Sequence, residues 1–125
     1  MNSITLQPEI NELNKLNEFI LTELDKENLH VKLIAEEVFV NIVSYSKTEF
    51  IIVNVEYEKP ILTLEFIDEG FEFNPLLKKD PILPDNLDEA QVGGLGIFLT
   101  KEISDELKYY YENGENHLII IKKVE

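Results

Sequence analysis

This chain of 125 residues has neither cysteine nor arginine. Without cysteine the chain can form no disulfide, bind no zinc through thiolates and use no cysteine nucleophile. Nothing in its composition points to an oxidising compartment, so we expect a cytoplasmic protein. The apolar runs are far shorter than the ~20 residues that cross a bilayer, and we expect no signal peptide. The length and the hydrophobic share of 44% predict one folded domain over residues 1–125.

Basic residues are also scarce, because 11 lysines stand against 25 acidic residues and give a net charge of −14. Such a chain repels nucleic acids and anionic membranes, so we expect neither as a partner. The planar guanidinium fork that captures phosphates bidentately is absent as well. Any phosphate that binds here must therefore be held by backbone amides, lysines or a divalent cation.

The hydrophobic periodicity of the chain predicts the element order β-α-α-β-β-loop-α-β-β. The predicted strands cover residues 3–6, 50–57, 61–68, 106–112 and 115–124, and the predicted helices cover 9–27, 31–45 and 93–104. Residues 69–92 have no periodicity, which in a compact domain is typical of a lid or a binding loop. This order predicts an α+β fold, namely a two-layer α/β sandwich with helices on one face of a mixed, mostly antiparallel sheet.

The second predicted helix is apolar over most of its circumference but carries one polar stripe. Glu37, Asn41 and Tyr45 follow each other at i, i+4 spacing and so lie on one face. The stripe either faces solvent or belongs to a site, since a carboxylate and an amide buried without partners cost several kcal/mol.

A second candidate residue is Asp68, at the end of the predicted strand 61–68. The two-residue period of a strand puts it on the same face as Leu64 and Phe66, so it lies on the apolar face where the chain enters the loop. Such a carboxylate can accept hydrogen bonds from an exocyclic amine, and Gly70 allows a flat ring to approach the backbone. The alternative is an ordinary turn aspartate.

Glycines cluster at the start of the third predicted helix, at Gly93, Gly94 and Gly96. Free amides at a helix N-terminus attract anions, and glycines let a phosphate come close to the backbone. A flexible hinge explains the cluster equally well, and its spacing matches neither a Walker A loop nor a dinucleotide fingerprint.

Three motifs, in this order along the chain, resemble the N, G1 and G2 boxes of the GHKL (Bergerat-fold) ATP-binding superfamily. They are Glu37-x-x-x-Asn41 on a helix, Asp68-x-Gly70-x-x-Phe73-Asn74-Pro75 after a strand, and Gly93-Gly94-Leu95-Gly96-Ile97 at a helix start. Within the superfamily, residues 36–41 and 68–75 look most like the anti-sigma regulatory factor kinases. These are small bacterial serine/threonine kinases that bind a sigma factor and phosphorylate an anti-anti-sigma protein.

The resemblance implies a role for each matching residue. It makes Glu37 the general base, Asn41 the residue that binds Mg²⁺ with the phosphates, Asp68 the adenine-reading carboxylate and Gly70 the glycine beneath the base. It makes residues 76–92 the ATP lid. The other ATP-binding residues that it implies are Tyr45, Phe73, Gly93, Gly94, Leu95, Gly96 and Ile97. It further implies ATP or ADP with Mg²⁺ as ligands, a sigma factor and a STAS-type anti-anti-sigma protein as partners, and a homodimer.

The chain departs from the family pattern at two places. Some family kinases carry an arginine before the glycine loop, where this chain has Gln91-Val92, and Tyr45 replaces a common histidine. A nucleotide-sensing module with the same pocket and negligible kinase activity therefore remains an alternative to the kinase, as does a structural α/β domain. A histidine-kinase catalytic domain is disfavoured, because no helix before the domain presents a phosphoacceptor and His30 and His117 are the only histidines.

Overall fold

The structure is a computed structural model that describes residues 2–74 and 94–124. The strands are β1 (Asn2–Leu6), β2 (Ile51–Glu58), β3 (Ile61–Asp68), β4 (Glu106–Glu112) and β5 (Glu115–Lys123), and the helices are α1 (Leu13–Leu24), α2 (Leu29–Tyr45) and α3 (Gly94–Ile103). The element order that the sequence predicts is confirmed. The predicted lid, residues 76–92, and Gly93 lie outside the described residues.

The five strands form one sheet in the order β1-β2-β3-β5-β4. Each neighbouring pair among these described strands is antiparallel, where the sequence predicted a mixed and mostly antiparallel sheet. The β2–β3 and β4–β5 pairs are antiparallel because a short turn joins the two strands of each and reverses the chain. The second of these turns is Asn113-Gly114, whose positive φ angles of 53° and 79° confirm the predicted tight turn.

The core lies between the helices and one face of the sheet. Burial alternates along β2 and β3, so every second residue points inward, and Phe66 on β3 is fully buried. Phe39 of α2 and Leu16 of α1 belong to the same buried cluster, which makes the helices one layer and the sheet the other. The predicted α+β sandwich with helices on one face is therefore confirmed.

Local backbone chemistry moves the helix boundaries by a few residues. The predicted helix 9–27 begins with a 3₁₀ turn at Ile10–Glu12 and ends at Leu24, because Asp25 adopts a left-handed conformation with φ of 60°. Helix α2 begins two residues earlier than predicted, since the Asn28 side chain caps it by accepting a hydrogen bond of 3.0 Å from the Val31 amide. In the described part of the chain, no helix is both long and apolar enough to span a membrane.

Candidate functional site

A pocket of about 200 Å³ opens between α2 and the neighbouring ends of β3 and β5. Its walls are largely apolar and include Val38 and Ile42 from α2, Phe66 from β3 and Leu118 from β5. All four of these side chains are buried, so they form a preshaped floor. An apolar pocket with a few polar groups converging on it is typical of a small-molecule site.

Aromatic side chains form much of the rim of this pocket. Tyr45, Phe71 and Phe73 line it and are exposed, while Tyr109 lines it from β4 and is half-buried. The Tyr109 hydroxyl donates to Asn116 Oδ1, and burial raises the pKa of Tyr109. A rim of aromatic rings can pack against a flat ligand ring.

Asp68 is the main polar group of the pocket. It lies at the end of β3 on the inner face and is only 5% exposed, which confirms the face that the strand period predicted. Its Oδ1 accepts three hydrogen bonds, from the Ser46 hydroxyl, from the Gly70 amide at 2.8 Å and from Asn116 Nδ2 at 3.1 Å. These donors compensate for the burial of a charged carboxylate.

Gly70 packs against the end of α2. A Cβ atom at this position would lie 1.8 Å from Ser46 Oγ and 2.1 Å from Ser46 O. The chain therefore needs a glycine here so that its backbone can cross the C-terminal end of α2, where Phe71 N also donates to Ser46 O at 3.3 Å. The structure thus gives a reason for Gly70 that the sequence reading, which placed a ligand ring against it, did not contain.

Replacing Gly70 with alanine is expected to destabilise the fold by about 1–3 kcal/mol, the usual cost of forcing extra atoms into a packed site. The Ser46 backbone cannot move aside as a flexible side chain would, so the segment that contains residue 70 must shift away from the end of α2. Urea unfolding measures the change. Gly114→Ala is the comparison, because nothing lies within 4 Å of that position and only its positive φ carries a cost, of about 1–2 kcal/mol. A Gly70→Ala protein as stable as wild type would contradict the close contact.

Helix α2 contributes Asn41 to the pocket, one turn after Glu37. Asn41 lines the pocket, and its Oδ1 is buried without a hydrogen-bond partner among the described residues. Glu37 is half-buried and is not one of the described residues that line the pocket. The structure therefore brings Asn41, Tyr45, Asp68 and Phe73 together, as the sequence predicted, but leaves Glu37 outside that group.

The buried Asn41 oxygen fits the predicted role in binding Mg²⁺. Amide oxygens are hard ligands, and Mg²⁺ is usually bound by one or two protein groups together with substrate phosphates and water. The described residues contain no cluster of three or more acidic or histidine side chains that could hold a metal. A Mg²⁺ ion that enters with a nucleotide and meets a single amide oxygen is compatible with these residues.

The glycine-rich segment opens α3, as the sequence predicted. Gly94, Leu95, Gly96 and Ile97 form the first turn of this 10-residue helix, which packs beside α2. The free amides of such a turn favour an anion. Together with Asn41 on α2, they are the groups that we expect at the phosphate end of a bound ligand.

Sequence reasoning did not identify Asn116 or Ser46 as members of the site. A signal for Asn116 was present, since Leu118 and Ile120 are inward residues of β5 and the two-residue period puts position 116 on the same face. Its pairing with Asp68 depends on the β3–β5 register, in which the two residues lie directly opposite each other. Ser46 lies beyond the end of α2, and no periodic pattern reaches it.

Known proteins resemble this chain in sequence and in fold. The sequence model of one family, described as the histidine kinase-like ATPase domain, matches residues 12–122. The serine/threonine-protein kinase BtrW of Bordetella bronchiseptica is 32% identical over 92 residues, which cover 70% of this chain and 65% of that kinase. This chain therefore spans less than two thirds of the relative's length.

A solved structure shares the fold. The Acinetobacter baumannii histidine kinase AdeS superposes with a TM-score of 0.54 over 99% of this chain and 68% of the other, at 12% sequence identity. At that identity the likeness shows the fold alone. It confirms the predicted Bergerat ATP-binding architecture.

Proposed function

Since the chain belongs to the histidine kinase-like ATPase domain family, we propose that it binds ATP and ADP in the pocket between α2, β3 and β5 and acts as a serine/threonine protein kinase. One observation carries the proposal. Asp68 is a buried carboxylate, 5% exposed, in a pocket whose walls are largely apolar. A carboxylate accepts a hydrogen bond from the exocyclic amine of adenine. Guanine has a carbonyl at that edge, so its oxygen and the carboxylate would be two acceptors facing each other without a donor.

The phosphates of the nucleotide lie toward α3 and Asn41 in this proposal. The backbone amides at the start of α3 favour negative charge, and the orphaned Asn41 oxygen supplies one ligand to Mg²⁺. When bound, the cation would neutralise phosphate charge, which is a large part of phosphoryl-transfer catalysis. Lysines must supply the rest of the positive charge, because the chain has no arginine.

Glu37 is the proposed general base. It lies one helical turn before Asn41, so it can face the terminal phosphate from a position outside the nucleotide pocket. There it would accept the proton of an incoming serine hydroxyl as the serine oxygen bonds to the γ-phosphorus and the bond from that phosphorus to ADP breaks. The similarity to a serine/threonine-protein kinase supports this assignment.

The proposed partners come from the resemblance to anti-sigma regulatory factor kinases. We propose that this protein acts as a homodimer that binds a sigma factor, phosphorylates a STAS-type anti-anti-sigma protein and switches between the two. Pull-down of the untagged protein from its own cells, with ADP and then with ATP, tests this. A sigma factor that is captured with ATP and released as an anti-anti-sigma protein is captured with ADP would support switching, and capture of neither would contradict it.

ATP and ADP are expected to require Mg²⁺ for binding. Their affinity should fall at least about tenfold, or 1.4 kcal/mol, when a chelator removes the Mg²⁺. The physical reason is the net charge of −14 without any arginine, which repels a bare triphosphate. Calorimetry with excess Mg²⁺ and with excess chelator measures the effect. ATP binding that is as tight in excess chelator as in excess Mg²⁺ would contradict the proposal that the protein holds the phosphates through the cation.

A nucleotide-sensing module without kinase activity is the second candidate function. The observation that favours it is that Glu37 does not line the described pocket, so a bound nucleotide need not meet a base. Such a protein would bind ATP and a partner but transfer no phosphate. The phosphotransfer assay described in the Discussion separates it from the kinase.

A further inference from the structure

The two oxygens of the Asp68 carboxylate are used unequally. All three hydrogen bonds that the described residues make to this side chain end on Oδ1, and their donors come from Ser46, Gly70 and Asn116. Oδ2 accepts none of them. A carboxylate offers about four lone-pair sites on two oxygens, so one oxygen is occupied by the protein while the other keeps its accepting capacity.

Asn116 is the residue that connects this oxygen to the segment leaving β3. Its Nδ2 donates to Asp68 Oδ1 at 3.1 Å, to Phe71 O at 2.7 Å and, more weakly, to Gly70 O at 3.4 Å. Its Oδ1 accepts from Phe73 N at 3.1 Å and from the Tyr109 hydroxyl. The side chain is 6% exposed, so the whole amide is engaged within the protein and has no hydrogen bond left for a ligand.

Ser46 holds the same oxygen from the opposite side. Its hydroxyl donates to Asp68 Oδ1, its backbone carbonyl accepts from Phe71 N, and its backbone is the surface on which Gly70 packs. The next residue, Lys47, has a φ of 57°, a conformation that non-glycine residues adopt rarely and mainly where their surroundings impose it. The carboxylate is thus fixed between the end of α2 and β5.

We infer that Asn116, together with Ser46, is a positioning residue that fixes Asp68 Oδ1 so that Oδ2 alone is presented to the amino group of the base. The inference rests on the proposed function, because it assumes that an adenine nucleotide occupies the pocket. A free carboxylate could rotate about its Cβ–Cγ bond and meet a base with either oxygen and in many planes. The anchored one meets only a ligand that places a donor opposite Oδ2, which makes the anchoring a source of specificity for the 6-amino group.

The test compares ATP with the triphosphate of purine riboside, which lacks the 6-amino group, by calorimetry with Mg²⁺. Wild type is expected to prefer ATP by about tenfold or more, because the analogue cannot donate a hydrogen bond to the charged Asp68 carboxylate. In Asn116→Leu, which keeps the size of the side chain, ATP affinity is expected to fall about tenfold while affinity for the analogue changes less than threefold. The preference for ATP therefore collapses.

The chain offers a matched control on the outer face of the sheet. There Asn54 on β2 donates to Glu65 on β3 at 3.0 Å, which is another cross-strand pair of an asparagine and an acidic residue. Asn54→Leu is expected to leave both affinities unchanged. Ser46→Ala, which loosens the same oxygen from the α2 side, is expected to lower the preference in the same direction, and it replaces Asn116→Leu if that variant does not unfold cooperatively.

The outcomes separate this inference from the proposed function. A wild-type protein that binds neither nucleotide overturns the proposed function itself. If wild type prefers ATP but both Asn116→Leu and Ser46→Ala lose affinity for the two ligands equally and keep the ratio, these residues support the fold of the pocket only. That result would overturn the positioning role while leaving the nucleotide site intact.

Discussion

Replacing Asp68 with alanine is expected to lower ATP affinity by about a hundredfold or more, which takes binding below detection by calorimetry. The variant loses the only buried acidic side chain of the described pocket and with it a charge-assisted hydrogen bond to the base, worth about 1.5–3 kcal/mol. It also loses the anchor that holds Gly70 and Asn116 together, so the shape of the pocket suffers as well.

The fold should survive this change at a measurable cost. The Ser46 hydroxyl and the Gly70 amide would lose their shared acceptor, whereas Asn116 Nδ2 would still donate to Phe71 O. A buried polar group that is left unsatisfied costs about 1–3 kcal/mol. Thermal unfolding should therefore stay cooperative with a lower midpoint. Glu69→Ala removes an equal charge from the exposed neighbouring residue and should bind ATP normally. An Asp68→Ala protein that binds ATP as tightly as wild type would contradict the assignment.

Changing Glu37 to glutamine is expected to lower phosphate transfer by roughly 10²- to 10⁴-fold, the usual contribution of a general base, with ATP affinity nearly unchanged. Glutamine keeps the size of the side chain and removes its basicity. The structure agrees with the second half of this expectation, because Glu37 lies outside the described pocket lining and its replacement should therefore change ground-state binding little.

The measurement is transfer of radiolabelled phosphate from ATP to a serine of the anti-anti-sigma partner, with nucleotide calorimetry beside it. Glu36→Gln is the matched control, since Glu36 accepts a hydrogen bond of 3.0 Å from Asn17 on α1 and does not line the pocket. Asn41→Ala should lose both binding and transfer, because the proposal puts its buried oxygen beside the phosphates and their cation. Equal transfer by wild type and Glu37→Gln would exclude Glu37 as the base.

Absence of transfer by wild type has a different meaning. If wild type binds ATP and a partner but moves no phosphate to it, the nucleotide-sensing module becomes the better description of this protein. If wild type binds no adenine nucleotide at all, the glycines and the buried carboxylate serve the fold only. The two assays together therefore distinguish the three functions that the sequence left open.

Local patterns in the sequence were enough to predict the secondary structure and the fold class. The alternation of apolar residues along β3 put Asp68 on the inner face without any knowledge of its neighbours, because the period of a strand is a property of its own backbone. In the same way, the helical spacing of Glu37 and Asn41 put them on one stripe of α2, and Asn113-Gly114 specified a tight turn. The order of three motifs then pointed to the family, which the comparisons confirmed.

The tertiary structure decided which side chains meet. The partner of Asp68 on β5 is Asn116, because the strand register puts these two residues, 48 positions apart in the sequence, opposite each other. Register depends on packing of the whole sheet rather than on either strand alone. The contact that requires a glycine at position 70 is with the end of α2, a neighbour that the sequence reading did not foresee. Two polar residues of the α2 stripe also differ, since Asn41 lines the pocket and Glu37 does not. Residues on one stripe of a helix face the same side, but each turn of the helix has different neighbours from the rest of the fold.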